Sequence, residues 1–273
     1  MISIFTTYTD PGKRMDPWKE ALNCYKDFAD EVIITGENWE EEFRWKEIGE
    51  TFQEGFDSST NDWVIRMDID YFFHQNDKRK LLNALKKSND YPAIALPQYQ
   101  FFTADRFHMK TRLCVVLNKK KFPNIKLNGG GDYCLATLDN KLITPNNVPN
   151  FNIPIYQYDS MFRTKEIIAA DRARFARAWF REFGEYGSRG GPNEKEAFEA
   201  WIDEIKLKYS HHTNKFNINN HPIYIIEKLK NLSKNQFGFD MFGNKNKVNK
   251  SFKKYVKGKK ELYLGTIINN KLR

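Results

Sequence analysis

Short β-rich apolar runs alternate with longer segments whose apolar positions recur every three to four residues, and this alternation organises the first third of the chain. Residues 2–8 form one such run, followed by turn chemistry at Asp10-Pro11-Gly12. Asp16-Pro17 offers an N-cap and a first-turn proline to a helix running to about Ala29, with Trp18, Ala21, Leu22, Tyr25 and Phe28 at helical spacing. Residues 31–36 read as a second strand. Residues 39–57 read as a helix through Phe43, Ile48, Phe52 and Phe56, and residues 62–70 as a third strand. Strands separated by helices predict a mostly parallel sheet with right-handed crossovers, flanked by helices, with ligands at the carboxyl ends of its strands. The expected class is α/β and Rossmann-like, with a helical C-terminal part.

Further along, Asp77 is placed to cap a helix through Leu81, Leu82 and Leu85, and residues 93–102 and 112–117 look extended. Lys119-Lys120-Lys121 reads as a solvated loop. In Asn128-Gly129-Gly130-Gly131-Asp132, three glycines let the backbone approach a ligand closely, and residues 133–138 read as a helix start. Asp132 can then face a site or simply cap the turn. Residues 153–158 suggest another strand, and residues 164–186 a long helix carrying Arg172, Arg174, Arg177 and Arg181. Ser188-Arg189-Gly190-Gly191-Pro192 ends it, residues 194–209 form a second helix, and His221-Pro222 opens a third through Leu232. These helices are expected to cap the sheet. No internal repeat or low-complexity linker divides residues 1–240, so one domain with a loose tail at 241–273 is expected.

The chemistry concentrates at the end of the third strand, where Asp68 and Asp70 follow Arg66 and Met67. Alternation along a strand puts Val64, Arg66, Asp68 and Asp70 on one side, with the two carboxylates roughly 6–7 Å apart at Cβ. Neighbouring carboxylates repel, and a hard divalent cation such as Mg²⁺ or Mn²⁺ relieves the repulsion. Such ions keep waters and take one or two carboxylates plus phosphate oxygens, so a diphosphate is the natural co-ligand. An Asp-x-Asp is also simply two hydrophilic residues entering a loop.

Composition narrows the partners. Of 273 residues, 40% are hydrophobic, enough for a substantial core. Cys24, Cys114 and Cys134 match neither a zinc nor a disulfide framework, and residues 1–9 lack the features of an export signal. A cytoplasmic location is expected, with possible peripheral contact at the inner face of a membrane. The net charge of +9 lies wholly in residues 241–273, where ten basic residues meet Glu261 alone. A neutral body argues against specific nucleic-acid binding, while the tail suits an anionic surface.

With this βαβαβ start and the strand ending Met67-Asp68-Ile69-Asp70, the chain resembles the GT-A fold glycosyltransferases, family 2-like enzymes that use nucleotide-sugar donors. The resemblance is densest over residues 1–75. A second block, from Ile155-Tyr156-Gln157-Tyr158 through Arg174-Phe175-Ala176-Arg177-Ala178-Trp179, is similar to bacterial and phage members, and His221-Pro222 resembles a late motif there. The resemblance implies a nucleotide-binding half at 1–75, an acceptor-side half at 76–160 and a helical part at 161–240. It implies Asp70 as a ligand of Mn²⁺ or Mg²⁺, and Asp68 as a second metal or sugar contact. Thr7 and Tyr8 would contact base and ribose, and Gln53-Glu54-Gly55 matches an Asn-x-Gly before the metal strand. Gln157 stands where several relatives have a metal-binding histidine, and His221, His74, His108 or the His211-His212 pair could substitute. Asp132 would be the base of an inverting transfer to a glycan, lipid-linked or other hydroxyl acceptor, although Gly131 replaces the glutamate that usually precedes that base. An Asp-x-Asp phosphatase and a module binding anionic polymer are the alternatives.

Overall fold

The computed structural model describes residues 1–8, 10–36, 42, 44–128, 136–211 and 213–232, with backbone alone at 207–211. The chain opens as expected: β1 (Ile2–Thr7), α1 (Trp18–Phe28), β2 (Glu31–Thr35), α2 (Trp45–Ser58) and β3 (Trp63–Arg66). β1 lies between β2 and β3 and is parallel to both. Consecutive residues of these strands enter opposite layers. Ile4 and Ile65 pack with Ala21, Tyr25 and Phe28 of α1, whereas Phe5 and Val64 pack with Ile48, Phe52 and Phe56 of α2. Gly55 permits the second contact, because a Cβ there would stand 2.4 Å from Phe5 Cδ2.

The third strand is shorter than its pattern suggests. It stops at Arg66, and β4 (Tyr71–Phe73) leaves in a new direction. The Tyr71 amide donates to the Asp68 carbonyl at 2.7 Å, closing a turn, and the buried Tyr25 hydroxyl donates to the carbonyls of Asp68 (2.5 Å) and Tyr71 (3.0 Å). Asp68 and Asp70 thus sit on a braced turn rather than on one face of a strand.

After α3 (Lys78–Lys87) come β5 (Ala93–Thr103) and β6 (Arg106–Asn118), a long hairpin. The small strands β7 (Lys126–Leu127), β8 (Ala136–Leu138) and β9 (Lys141–Leu142) form a separate sheet. Residues 136–138 are therefore strand rather than helix, paired on both sides, while 129–135 lie outside the described residues. β10 (Ile155–Gln157) runs parallel to β5 and antiparallel to β4. The main sheet reads β2-β1-β3-β6-β5-β10-β4, with β11 (Thr213–Lys215) against β6. It is a curled mixed sheet flanked by helices, not a mostly parallel one, because β6 meets β3, β5 and β11 antiparallel.

Three local expectations change with tertiary contact. Asp16 does not cap α1, whose first turn has no side-chain cap; it is drawn into ion pairs with Arg14 and Arg163. Lys119 is no solvated loop residue, since its Nζ donates to the carbonyls of Phe56, Asp57 and Ser59 at 2.7–2.9 Å and closes the end of α2. After His221-Pro222 the chain turns before a five-residue helix, α6 (Ile226–Lys230). Helix α4 (Lys165–Phe183), capped by Thr164 and ended by left-handed Gly184, packs on α5 (Glu194–His211) through Ile168, Ala169, Phe198 and Ile202. Among the described residues, no helix is long and apolar enough to cross a membrane.

Candidate active site

A cleft of about 260 Å³ opens where β1, the 68–70 turn, the end of β10 and α4 converge. Thr7, Tyr8, Asp68, Asp70 and Gln157 all line it. The register of β10 against β4 sets Gln157 opposite Tyr71, one residue from Asp70, and the Tyr158 amide donates to the Asp70 carbonyl at 3.0 Å. Gln157 Nε2 lies 3.4 Å from Asp70 Oδ2, and its Oε1 accepts from Gln98 Nε2 at 2.6 Å. For the Gln157 oxygen to face a cation on Asp70, its amide must make a half-turn, and Gln98 must turn with it. Asp68 accepts from Arg66 Nη1 at 2.8 Å.

The opposite wall is built of arginines held by carboxylates. Arg163 is clamped between Asp16 and Asp171, with Nε to Asp16 Oδ1 at 2.8 Å and Nη1 to Asp171 Oδ2 at 2.7 Å. Burial opposes its charge, but Asp16 and Asp171 more than reverse this and raise its pKa. Asp171 also receives Arg14 and Arg174, each at 3.0 Å, and burial lowers the Arg174 pKa despite that partner. Arg172 binds both oxygens of Asp159 at 3.0 and 3.2 Å, while Gln100 and Ser160 also donate to that carboxylate. Arg172 and Arg174 line the cleft, whereas Arg177 and Arg181 turn to Glu42.

Asp16, Asp159, Arg163 and Asp171 are cleft residues that local patterns do not reveal. Asp16 looks like a helix cap, and Asp171 lies among alternating charges on a helix. Asp159 lies in the turn just past β10, two residues beyond Gln157.

Other expected site residues lie elsewhere. His221 is fully buried among Phe101, Phe216 and Tyr158. Its Nδ1 accepts from the Tyr158 hydroxyl at 2.7 Å and its Nε2 donates to the Ala104 carbonyl at 2.8 Å, so both nitrogens are used and it does not join the acids. Burial pushes its pKa down to about 4. Gln53 does not line the cleft: its Oε1 accepts from the Leu127 amide at 2.8 Å, tying α2 to β7, and its Nε2 donates to Asp57. Neither His74 nor His108 lines the cleft. Asp132 and His212 lie outside the described residues, as does the His211 side chain.

The donor set around Asp70 is all oxygen and amide, which suits a hard cation. Among the described residues no group of three or more His, Cys, Asp or Glu side chains is placed to hold a metal ion.

No protein-family model matches the chain, and no curated protein does. Solved structures similar to it include two of the TarS glycosyltransferase of S. aureus. One, of residues 1–349, is 10% identical, covers 75% of this chain and 79% of that chain, and has a TM-score of 0.36. The other is 9% identical, covers 84% of this chain and 50% of that chain, and has a TM-score of 0.39.

Proposed function

We propose that the chain is a metal-dependent, inverting glycosyltransferase that moves a sugar from a nucleoside-diphosphate donor to an acceptor hydroxyl. The observation that carries this reading is the meeting of Thr7, Tyr8, Asp68, Asp70 and Gln157 with an arginine wall in one cleft at the carboxyl ends of β1 and β3. The four lining arginines, with Arg66 behind Asp68, balance the five lining carboxylates, Asp16, Asp68, Asp70, Asp159 and Asp171. A divalent cation on Asp70 then gives the cleft the net positive charge that a diphosphate complements.

In this reading Thr7 and Tyr8 receive the nucleoside, and Arg14, Arg172 and Arg174 surround the diphosphate with planar donors already oriented by their carboxylates. Bound Mg²⁺ or Mn²⁺, held by Asp70 with Gln157 turned to offer its oxygen, would supply Lewis-acid stabilisation of the leaving group. The acceptor oxygen forms a bond to the anomeric carbon as the bond to the diphosphate breaks, the electron pair leaving with the nucleoside diphosphate. Asp132, after its three glycines, takes the acceptor's proton. Inversion at carbon follows from this single displacement.

Thermal shift against a panel of nucleotide sugars with Mn²⁺ tests the reading. One donor should raise the melting temperature by several degrees at a hundredfold excess over its Kd, a gain of about 2.7 kcal/mol by mass action. A protein stabilised by no nucleotide sugar, but by inorganic phosphate or a phosphate monoester, is instead the phosphatase alternative.

A further inference from the structure

Behind Gln157, which lines the cleft, stands a second buried amide, Gln98 of β5, which does not line it. Gln98 Nε2 donates to the Tyr71 hydroxyl at 3.0 Å and to Gln157 Oε1 at 2.6 Å, and Gln157 Nε2 then lies 3.4 Å from Asp70 Oδ2. A carboxamide has one accepting and one donating end, so two that meet must show each other unlike ends. The end that Gln157 turns to Asp70 is therefore set by the end that Gln98 turns to Gln157.

Gln98 Oε1 is buried and has no hydrogen-bond partner among the described residues. With both amides reversed, that oxygen would stand between Gln157 Nε2 and the Tyr71 hydroxyl, which can rotate to donate, and the Gln98 amino group would take over the unpartnered position. Each arrangement leaves one end of Gln98 without a partner among the described residues, so hydrogen bonding within the pair favours neither. The difference lies at Asp70, which meets an N–H in one arrangement and an oxygen in the other. Two such oxygens face each other stably only across a cation.

We propose that Gln98 is a positioning residue for the cation seat, coupled to Gln157 so that a divalent ion at Asp70 turns both amides together, and holding the Gln157 oxygen on the ion afterwards. This rests on the cation of the proposed reaction and not on the identity of donor or acceptor.

Mn²⁺ titrated calorimetrically into the nucleotide-free protein is the probe. Gln157→Met removes the oxygen and Gln98→Met removes its support, and each should weaken Mn²⁺ binding about tenfold. In the double variant, affinity should stay within about threefold of Gln157→Met alone, because Gln98 acts only through Gln157. A buried residue with a merely structural role would leave affinity unchanged, or lower it equally whether or not Gln157 is present. In the wild-type protein, saturation with diamagnetic Mg²⁺ should shift the side-chain amide NMR signals of both glutamines, a readout that stands even where Gln98→Met fails to fold. Unchanged affinity in folded Gln98→Met, additive losses in the double variant, or a Mg²⁺ shift confined to Gln157 overturns the proposal. Failure of the reading beneath it looks different. A wild-type protein that binds neither Mn²⁺ nor Mg²⁺ removes the cation and the proposal with it, whereas one that binds Mn²⁺ but no nucleotide sugar removes the transferase reading and leaves the amide pair standing.

Discussion

Burial sets the chemistry of His221. Taken out of water, with Nε2–H on a carbonyl and Nδ1 accepting from Tyr158, the ring stays neutral to about pH 4, against an ordinary value of 6.5. Unfolding frees it to bind a proton between those limits. The native state is therefore fully favoured above pH 6.5 and loses about 3 kcal/mol as pH falls towards 4. Urea melts of His221→Phe should show a flatter stability slope across that window than the wild-type protein, and equal slopes would remove His221 as the cause. For Asp132 the test is kinetic. As the base, its replacement in Asp132→Asn should lower the transfer rate by about 10²–10⁴ with donor affinity little changed. Near-normal transfer would take it out of the mechanism.

Among the elements, α2 connects stability to the cleft, since it carries Ile48 and Phe52 into the lining and is closed by a distant side chain. Lys119→Met should destabilise the fold by about 1–3 kcal/mol through three lost carbonyl contacts at a helix end that favours cations, as read by urea denaturation. A loss within error would mean that water replaces the ammonium. How far elements were legible depends on whether their causes are local. β1, α1, β2 and the body of α2 follow from residue periodicity and lie close to where it puts them. β11 does not, because Thr213-Asn214-Lys215 has little strand character and pairs only because β6 offers it an edge. The 68–70 turn escaped for a related reason: Tyr25, more than forty residues away, holds the carbonyls that end the strand. Thr7, Tyr8, Asp68, Asp70 and Gln157 were legible as a group because each ends or adjoins a strand. The carboxylates behind the arginine wall were not, since Asp16 and Asp171 meet at Arg163 from distant parts of the chain.

For the molecule as a whole, charge separates into a balanced body and a basic end. Ten Lys/Arg in residues 241–273, with Phe242, Phe252, Tyr255 and Tyr263 among them, suit an anionic membrane surface, where each basic residue contributes about 1 kcal/mol. A chain ending at Gly238 should stay folded, turn over a soluble acceptor and lose low-salt binding to anionic liposomes. Unfolding of the shortened chain, or liposome binding equal to full length, would contradict a tether.

The central claim is that Asp70 holds the cation that makes this cleft a nucleotide-sugar site, and donor-dependent release of nucleoside diphosphate measures it most directly. With Mn²⁺ and the preferred donor, the wild-type protein should release nucleoside diphosphate at a rate that rises with acceptor and collapses when the metal is chelated. Asp70→Ala should release none above background at the same metal and donor concentrations. Release that survives chelation, or an Asp70→Ala protein as active as wild type, would contradict the account.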